Sequence, residues 1–182
     1  MTEKAAGEIF SSSSALKILS FLAENSDSEF LGSEIQRATS LSRAGVYISL
    51  KGLINQGYVI MTQKGRFHLY RLDTTNAIVK QFKVLRNILY LEPILGELQP
   101  ISNMIILFGS GGRGEDAPTS DIDLFIMTMD PASVKESLAS QKSARRIQPV
   151  VLTPSEYSQF KETDKTFYEE VSRGITLWEK KE

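Results

Sequence analysis

The chain has 182 residues, 41% hydrophobic and 24% charged, with a net charge of −1, a balance that suits a soluble globular protein of one ordinary domain or two small ones. It contains no cysteine, which excludes disulfides and thiolate zinc sites and suits a reducing compartment. No apolar run reaches membrane-spanning length, and Met1 to Phe10, with Glu3, Lys4 and Glu8, lacks the apolar core of a signal peptide; the expected location is the cytoplasm, with no membrane partner.

The apolar pattern predicts the elements in chain order. The serines at 11–14 offer an N-cap to a helix carrying Ala15, Leu16, Ile18, Leu19 and Leu22, and Asn25 to Ser28 break it. Ser33 would cap a second short helix to Ala38, and Thr39 to Leu41 reads as a tight turn. Ser42 caps a third helix, which carries Val46, Leu50, Leu53 and Ile54 on one face and ends at Gly57. Two β-rich runs, Tyr58 to Thr62 and Phe67 to Leu72, flank the turn Gln63-Lys64-Gly65-Arg66 and make a hairpin. Ala77 to Leu91 is a long amphipathic stretch whose end is flanked by Pro93 and Pro100. Beyond it, Ile101 to Phe108, Asp121 to Met129 and Ile147 to Leu152 read as strands. Ser133 to Ser140 and Ser155 to Lys161 read as helices, and Val171 to Glu179 as a final short element. The expected class is α/β (α+β), with one domain at 1–74, a linker helix at 75–100 and a second domain with a small mixed sheet at 101–182.

Charge divides the two halves. From Ile35 to Leu72 there is no Asp or Glu, whereas Arg37, Arg43, Lys51, Lys64, Arg66 and Arg71 fall there. A merely solvated face usually mixes both signs, so this stretch is expected to meet a polyanion. Three helices followed by a hairpin give the order of a winged helix-turn-helix, and the run from Leu41 to Leu72 resembles winged-helix transcriptional regulators. The resemblance implies duplex DNA binding. Arg43, Tyr47, Ser49 and Lys51 would be exposed on the recognition helix, and Lys64 and Arg66 would lie on the wing. His68 is the one histidine and is assigned no chemistry. The other reading of the basic face is a protein-interaction module.

The sharpest signal is Met104 to Thr128, in which an apolar strand ends at Gly109-Ser110, a Gly-rich turn follows, and Ser120-Asp121-Ile122-Asp123-Leu124 opens a second strand. Alternation on a strand points Asp121 and Asp123 one way and Ile122 and Leu124 the other. Adjacent carboxylates repel unless a cation sits between them, and oxygen ligands suit Mg²⁺ or Mn²⁺ bound together with substrate phosphates. The turn lets backbone N–H groups approach an anion, with the Ser110 hydroxyl and Arg113 as further donors. Together these features read as metal-assisted phosphoryl or nucleotidyl transfer. A dinucleotide-binding unit is excluded because only Glu115 to Ser120, with Pro118 among them, precede the next strand, too few for a crossover helix. A P-loop is excluded because Glu115 and Asp116 stand where Lys and Ser or Thr are needed.

Gly109-Ser110, ten intervening residues and Asp121-Ile122-Asp123 resemble the polymerase-β-like nucleotidyltransferase superfamily, closest to its minimal prokaryotic members, with Arg113-Gly114 and Ser120-Asp121 also matching. The resemblance implies an NTP bound through Gly109, Ser110, Arg113 and Ser120. Asp121 and Asp123 would hold Mg²⁺ or Mn²⁺, and an acceptor hydroxyl, a protein's among the candidates, would attack the α-phosphate. Active members add a third carboxylate on a later strand, but the matching run, Arg146 to Leu152, has only Gln148 as a polar candidate, and Glu156 lies beyond it. Three functions stay open: a DNA-targeted nucleotidyltransferase, a transcriptional regulator whose degenerate transferase domain senses a nucleotide, and an interaction module such as the antitoxin half of a toxin–antitoxin pair. A homodimer through the stretch from Ala77 to Leu91 is a further expectation.

Overall fold

A computed structural model describes residues 13–141 and 145–181; the expectations for Met1 to Phe10, and for a cap at Ser11 or Ser12, lie outside them. The chain divides into two compact units, the first ending at Lys80 and the second beginning at Gln81.

The first unit contains α1 (Ser13–Glu24), β1 (Phe30–Leu31), α2 (Gly32–Thr39), α3 (Arg43–Asn55), β2 (Val59–Lys64) and β3 (Phe67–Leu72). Ile18, Leu19 and Leu22 of α1, Ile35 of α2, and Val46, Leu50 and Leu53 of α3 are buried together with Val59 and Leu72. This is the apolar face that the helical spacing marked. Ser42 caps α3 as expected, its Oγ accepting from the Gly45 N–H at 3.1 Å. Ser33 does not cap α2. The helix starts at Gly32, and the Glu34 carboxylate accepts from the Leu31 N–H at 2.7 Å, so an acid in the first turn serves the end that Ser33 was expected to serve. Strands β2 and β3 pair with Lys64 opposite Phe67, which leaves a two-residue turn; Gly65 takes φ 61° there, a conformation a side chain resists. Strand β1, too short for any alternation to show in sequence, pairs antiparallel with β3 and completes the sheet order β1-β3-β2. Three helices, a hairpin and this small sheet form a winged helix-turn-helix.

Helix α4 (Ala77–Leu98) runs through Pro93, past Leu91, where the amphipathic stretch was read to end, and over most of the linker helix expected at 75–100. Proline deletes the hydrogen bond to the carbonyl four residues back, here that of Leu89. Both Leu89 and Pro93 are exposed, so water can serve that carbonyl. The inward face of the helix continues instead with Leu91, Ile94, Leu95 and Leu98, all in the core of the second unit.

After a 3₁₀ turn, the second unit continues with β4 (Met104–Leu107), α5 (Gly109–Arg113), β5 (Ile122–Met127), α6 (Pro131–Ser140), β6 (Ile147–Leu152), α7 (Pro154–Thr163), α8 (Lys165–Ser172) and β7 (Ile175–Glu179). The sheet order is β6-β5-β4-β7, with β5 and β6 parallel and the other pairs antiparallel. It is the mixed sheet expected for an α/β (α+β) chain. Pro149 sits on β6, an edge strand, where the missing N–H costs no ladder bond. One sheet face buries Ile105, Leu107, Ile122, Leu124 and Ile126 against α4 residues and Val134 of α6. The opposite face buries Ile106, Phe108, Phe125 and Val171, with Tyr157 and Phe167 packed on them. No helix among the described residues is long and apolar enough to cross a membrane.

Candidate functional site

The Gly-rich turn is a short helix, α5, entered through Phe108 in extended backbone and left through Gly114 at φ 67°. Gly109 holds φ 64° and lies against the Asp123 carboxylate, so a Cβ there would collide with the Asp123 side chain. This juxtaposition sets the geometry of the candidate site. Asp123 stands on β5, Asp121 stands just before the strand, and α5 begins directly over Asp123. The Phe108 N–H donates to the Asp123 carbonyl at 3.1 Å, which locks α5 onto the strand.

Burial is the largest influence raising the Asp123 carboxyl above its ordinary value, followed by the negative charges of Glu170 and Asp121; Arg113 opposes the rise. Two carboxylates with surplus negative charge and oxygen-only chemistry fit a hard divalent cation. Among the described residues, no group of three or more His, Asp or Glu is arranged to hold a metal. The register of β5 and β6 puts Gln148 beside Asp123. Gln148, the one polar candidate read on that run, is thus the β6 residue in register with Asp123.

The other predicted residues divide. Ser110 is half-buried on α5. Arg113 is exposed and ion-paired, its Nε 3.1 Å from Glu115 and its Nη1 3.5 Å from Glu170. Ser120 is turned to its own loop, its Oγ accepting from the Ala117 N–H at 2.9 Å. The Asp121 carboxylate lies 3.9 Å from Arg146 Nε.

Two groups were not found in the sequence. Helix α8 was missed altogether, although Asp164 caps it, accepting from the Phe167 N–H at 3.0 Å, and Phe167 and Val171 show the i, i+4 spacing that could have revealed it. It brings Glu169, Glu170 and Arg173 to a cavity also lined by Gly109, Gly112 and Arg113. The second group is buried. Lys83 and Asn87 of α4, Asp116 of the loop and Arg145 before β6 form one network. Lys83 Nζ donates to the Asp116 carbonyl and lies 3.6 Å from its carboxylate. Arg145 donates to Asp116 at 3.0 Å and to Asn87 at 2.8 Å, and Asn87 donates to the Gly111 carbonyl at 3.1 Å. Scattered over more than sixty positions, this network has no sequence spacing to betray it.

On the first unit, Arg43, Tyr47 and Lys51 are exposed along α3 at i, i+4 and i+8. Ser49, expected among them, is buried; it falls between Val46 and Leu50 on the inward face. Ile48 takes its place outside, as exposed as Tyr47 at 68%. On the wing, the Arg66 guanidinium lies over the Phe67 ring at 5.2 Å. Lys64 Nζ is 2.7 Å from Glu29, so a stretch free of acid in sequence is not free of it in space.

A family model described as polymerase beta, nucleotidyltransferase matches residues 91–182. The chain belongs to the polymerase beta nucleotidyltransferase family. The match begins at Leu91, the first α4 residue of the second unit's core, and takes in both aspartates and the α5 helix. Members of this family generally use a divalent metal. No curated protein matches the chain. Among solved structures, the homodimeric winged helix-turn-helix DNA-binding domain of a Mycobacterium bovis protein is 22% identical, covers 50% of this chain and 81% of its own, and has a TM-score of 0.40. A chain from Sulfolobus solfataricus described as a nucleotidyltransferase is 18% identical, covers 56% of this chain and 87% of its own, and has a TM-score of 0.38.

Proposed function

We propose that the second unit is a Mg²⁺- or Mn²⁺-dependent nucleotidyltransferase that moves a nucleoside monophosphate from an NTP to an acceptor hydroxyl. The observation that carries this reading is the seating of α5 over Asp123, with Asp121 beside it. Asp121 and Asp123 would hold the cation, which when bound screens the phosphates and stabilises charge developing at the α-phosphate. The α5 backbone, Ser110 and Arg113 would orient the triphosphate, and Ser120 would hold the loop before Asp121. The acceptor hydroxyl oxygen bonds to the α-phosphorus, its proton passing to solvent, as the bond to the β-phosphate breaks and pyrophosphate leaves. The test is label transfer from α-labelled NTPs to acceptors in cell extract, with calorimetry of metal-dependent nucleotide binding. Asp121→Asn is expected to abolish both, and undiminished binding by this variant would sink the assignment.

Gln148 beside Asp123 favours a second reading, in which the unit binds nucleotide without transferring it, as a sensor in a transcriptional regulator or as an antitoxin-like module. Nucleotide binding with no label transfer under any metal would select it.

The winged helix is proposed to bind duplex DNA, supported by Arg43, Tyr47 and Lys51 lying exposed along one face of α3. With about four phosphate contacts, the log–log slope of affinity against salt is expected at roughly −3 to −4. Fluorescence anisotropy over a salt series measures it, and an absence of binding at low salt would make the face a protein-interaction surface.

A further inference from the structure

The two aspartates of the site are held by different means. Asp123 lies within β5, in register with Gln148 of β6, and its carbonyl accepts from the Phe108 N–H at 3.1 Å. The sheet itself therefore seats it beside the glycine helix. Asp121 stands ahead of the first ladder pair, Ile122 with Ile147, so its place depends on the loop that leads into it. We propose that Asn87 and Arg145 are positioning residues that brace this loop against α5 and so fix Asp121 relative to the glycine helix. The proposal rests on the nucleotidyltransferase reading only for what the held geometry serves, metal-dependent nucleotide binding.

The brace has three links. Asn87 Nδ2 donates to the Gly111 carbonyl of α5 at 3.1 Å. Asn87 Oδ1 accepts from Arg145 Nη1 at 2.8 Å. Arg145 Nη2 donates at 3.2 Å to the carbonyl of Ser120, the residue before Asp121. Both ends are anchored. Gly111 is buried in α5, and Ser120 closes a turn with Ala117, its N–H donating to the Ala117 carbonyl and its Oγ accepting from the Ala117 N–H, each at 2.9 Å. The middle is anchored too. Asp116 accepts from Arg145 Nη2 at 3.0 Å and from Asn87 Nδ2 at 3.3 Å, and the Arg145 N–H donates to the Tyr90 hydroxyl at 2.9 Å. The residue types suit the task. An amide offers a donor to Gly111 and an acceptor to Arg145 at once. A planar guanidinium serves Asn87, Asp116 and Ser120 from fixed directions, which a single ammonium nitrogen cannot do. Asn87 is 4% exposed, so it acts through α5 and the loop and not on a substrate.

The competing role is fold stability alone, and Lys83 separates the two. It is as buried as Asn87 and bonds to Asp116, but no hydrogen bond joins it to Gly111 or Ser120 among the described residues. The experiment compares Asn87→Asp, Arg145→Lys and Lys83→Met in the full chain by thermal unfolding and by calorimetry of ATP with Mn²⁺. All three are expected to lower Tm. Asn87→Asp, which loses the donor to Gly111, and Arg145→Lys, which loses the fork, should weaken ATP about tenfold or more, as groups behind a metal ligand do. Lys83→Met should leave ATP affinity unchanged. Affinity that falls in step with Tm in all three, or that holds in both Asn87→Asp and Arg145→Lys, would overturn the proposal. Hydrogen exchange of the ligand-free chain reads the brace without nucleotide. Relative to the β4 amides, Gly112 should exchange faster in Asn87→Asp and Ser120 faster in Arg145→Lys, with neither changed in Lys83→Met. If these shifts appear but the wild type binds no ATP with Mn²⁺, the brace stands and the transferase reading falls. If the wild type binds ATP and both variants bind it equally well, the brace falls and that reading stands. Exchange unchanged in both variants overturns the brace in either case.

Discussion

The Asp123 carboxyl is held in a surrounding that disfavours its charge, through burial first and then the negative charges of Glu170 and Asp121. Its folded-state pKa is raised, so the fold holds the proton more tightly than the unfolded chain does. The resulting stability is fully present below the ordinary aspartate value of 3.8 and is lost as pH rises through the raised value. In EDTA at neutral pH, Asp123→Asn is therefore expected to raise Tm, and the gain should vanish in acid below that ordinary value. Scanning calorimetry at both pH values checks this, and a variant no more stable than wild type at neutral pH would show the carboxylate to be unstrained. Glu29 is the second telling residue. Its carboxyl is held low, first by its hydrogen bond to Lys64, and it takes one cation from the wing. Glu29→Gln is expected to tighten duplex DNA binding and steepen the salt slope by up to about one unit, because Lys64 is released to a phosphate. By the same reasoning, Lys64→Ala should flatten the wild-type slope less than Arg66→Ala does. Equal effects would mean that the Glu29 pair dissolves on binding.

At the scale of elements, the buried network around Asp116 ties α4, α5, the loop ahead of Asp121 and the approach to β6 into one frame. Lys83 is 5% exposed and Asp116 6%, so the carboxylate cannot be removed without leaving buried positive charge uncompensated. Asp116→Ala is expected to cost about 3–5 kcal/mol in chemical denaturation, well above a surface change. A loss under about 1 kcal/mol would mean that water enters and replaces it. The elements most visible in the sequence were those with a clean period. Helices α1 and α3 could be read from one apolar face each, and β4 and β5 from their apolar runs. Elements were lost or misjudged where the period was short or contradicted by a local rule. Strand β1 has two residues, α8 hides in a polar run, and α4 passes a proline because its hydrogen-bond defect faces water.

For the whole molecule, the uneven charge pattern reflects two units with different surfaces. In the second unit, helix α4 carries Leu85 and Leu89 exposed at 44% and 56%, four residues apart, as along one helical face. We propose that this face supports the homodimer expected through the stretch from Ala77 to Leu91. Sedimentation is expected to give a dimer, and Leu85→Lys with Leu89→Lys a folded monomer; a wild-type monomer at all concentrations would dismiss it.

The sequence alone determined the elements with a clean period, the winged-helix and mixed-sheet classes, and the Gly109-Ser110 and Asp121-Asp123 pattern, because each depends on residues close together in the chain, where periodicity and spacing act. Only the tertiary structure decided that Glu29 reaches the wing, that Gln148 lies beside Asp123, that Ser49 turns inward, and that α8 brings Arg173 and Glu170 to the glycine helix. Those are meetings between distant segments, set by strand register and by the packing of aromatic side chains on the sheet, and no local spacing encodes them.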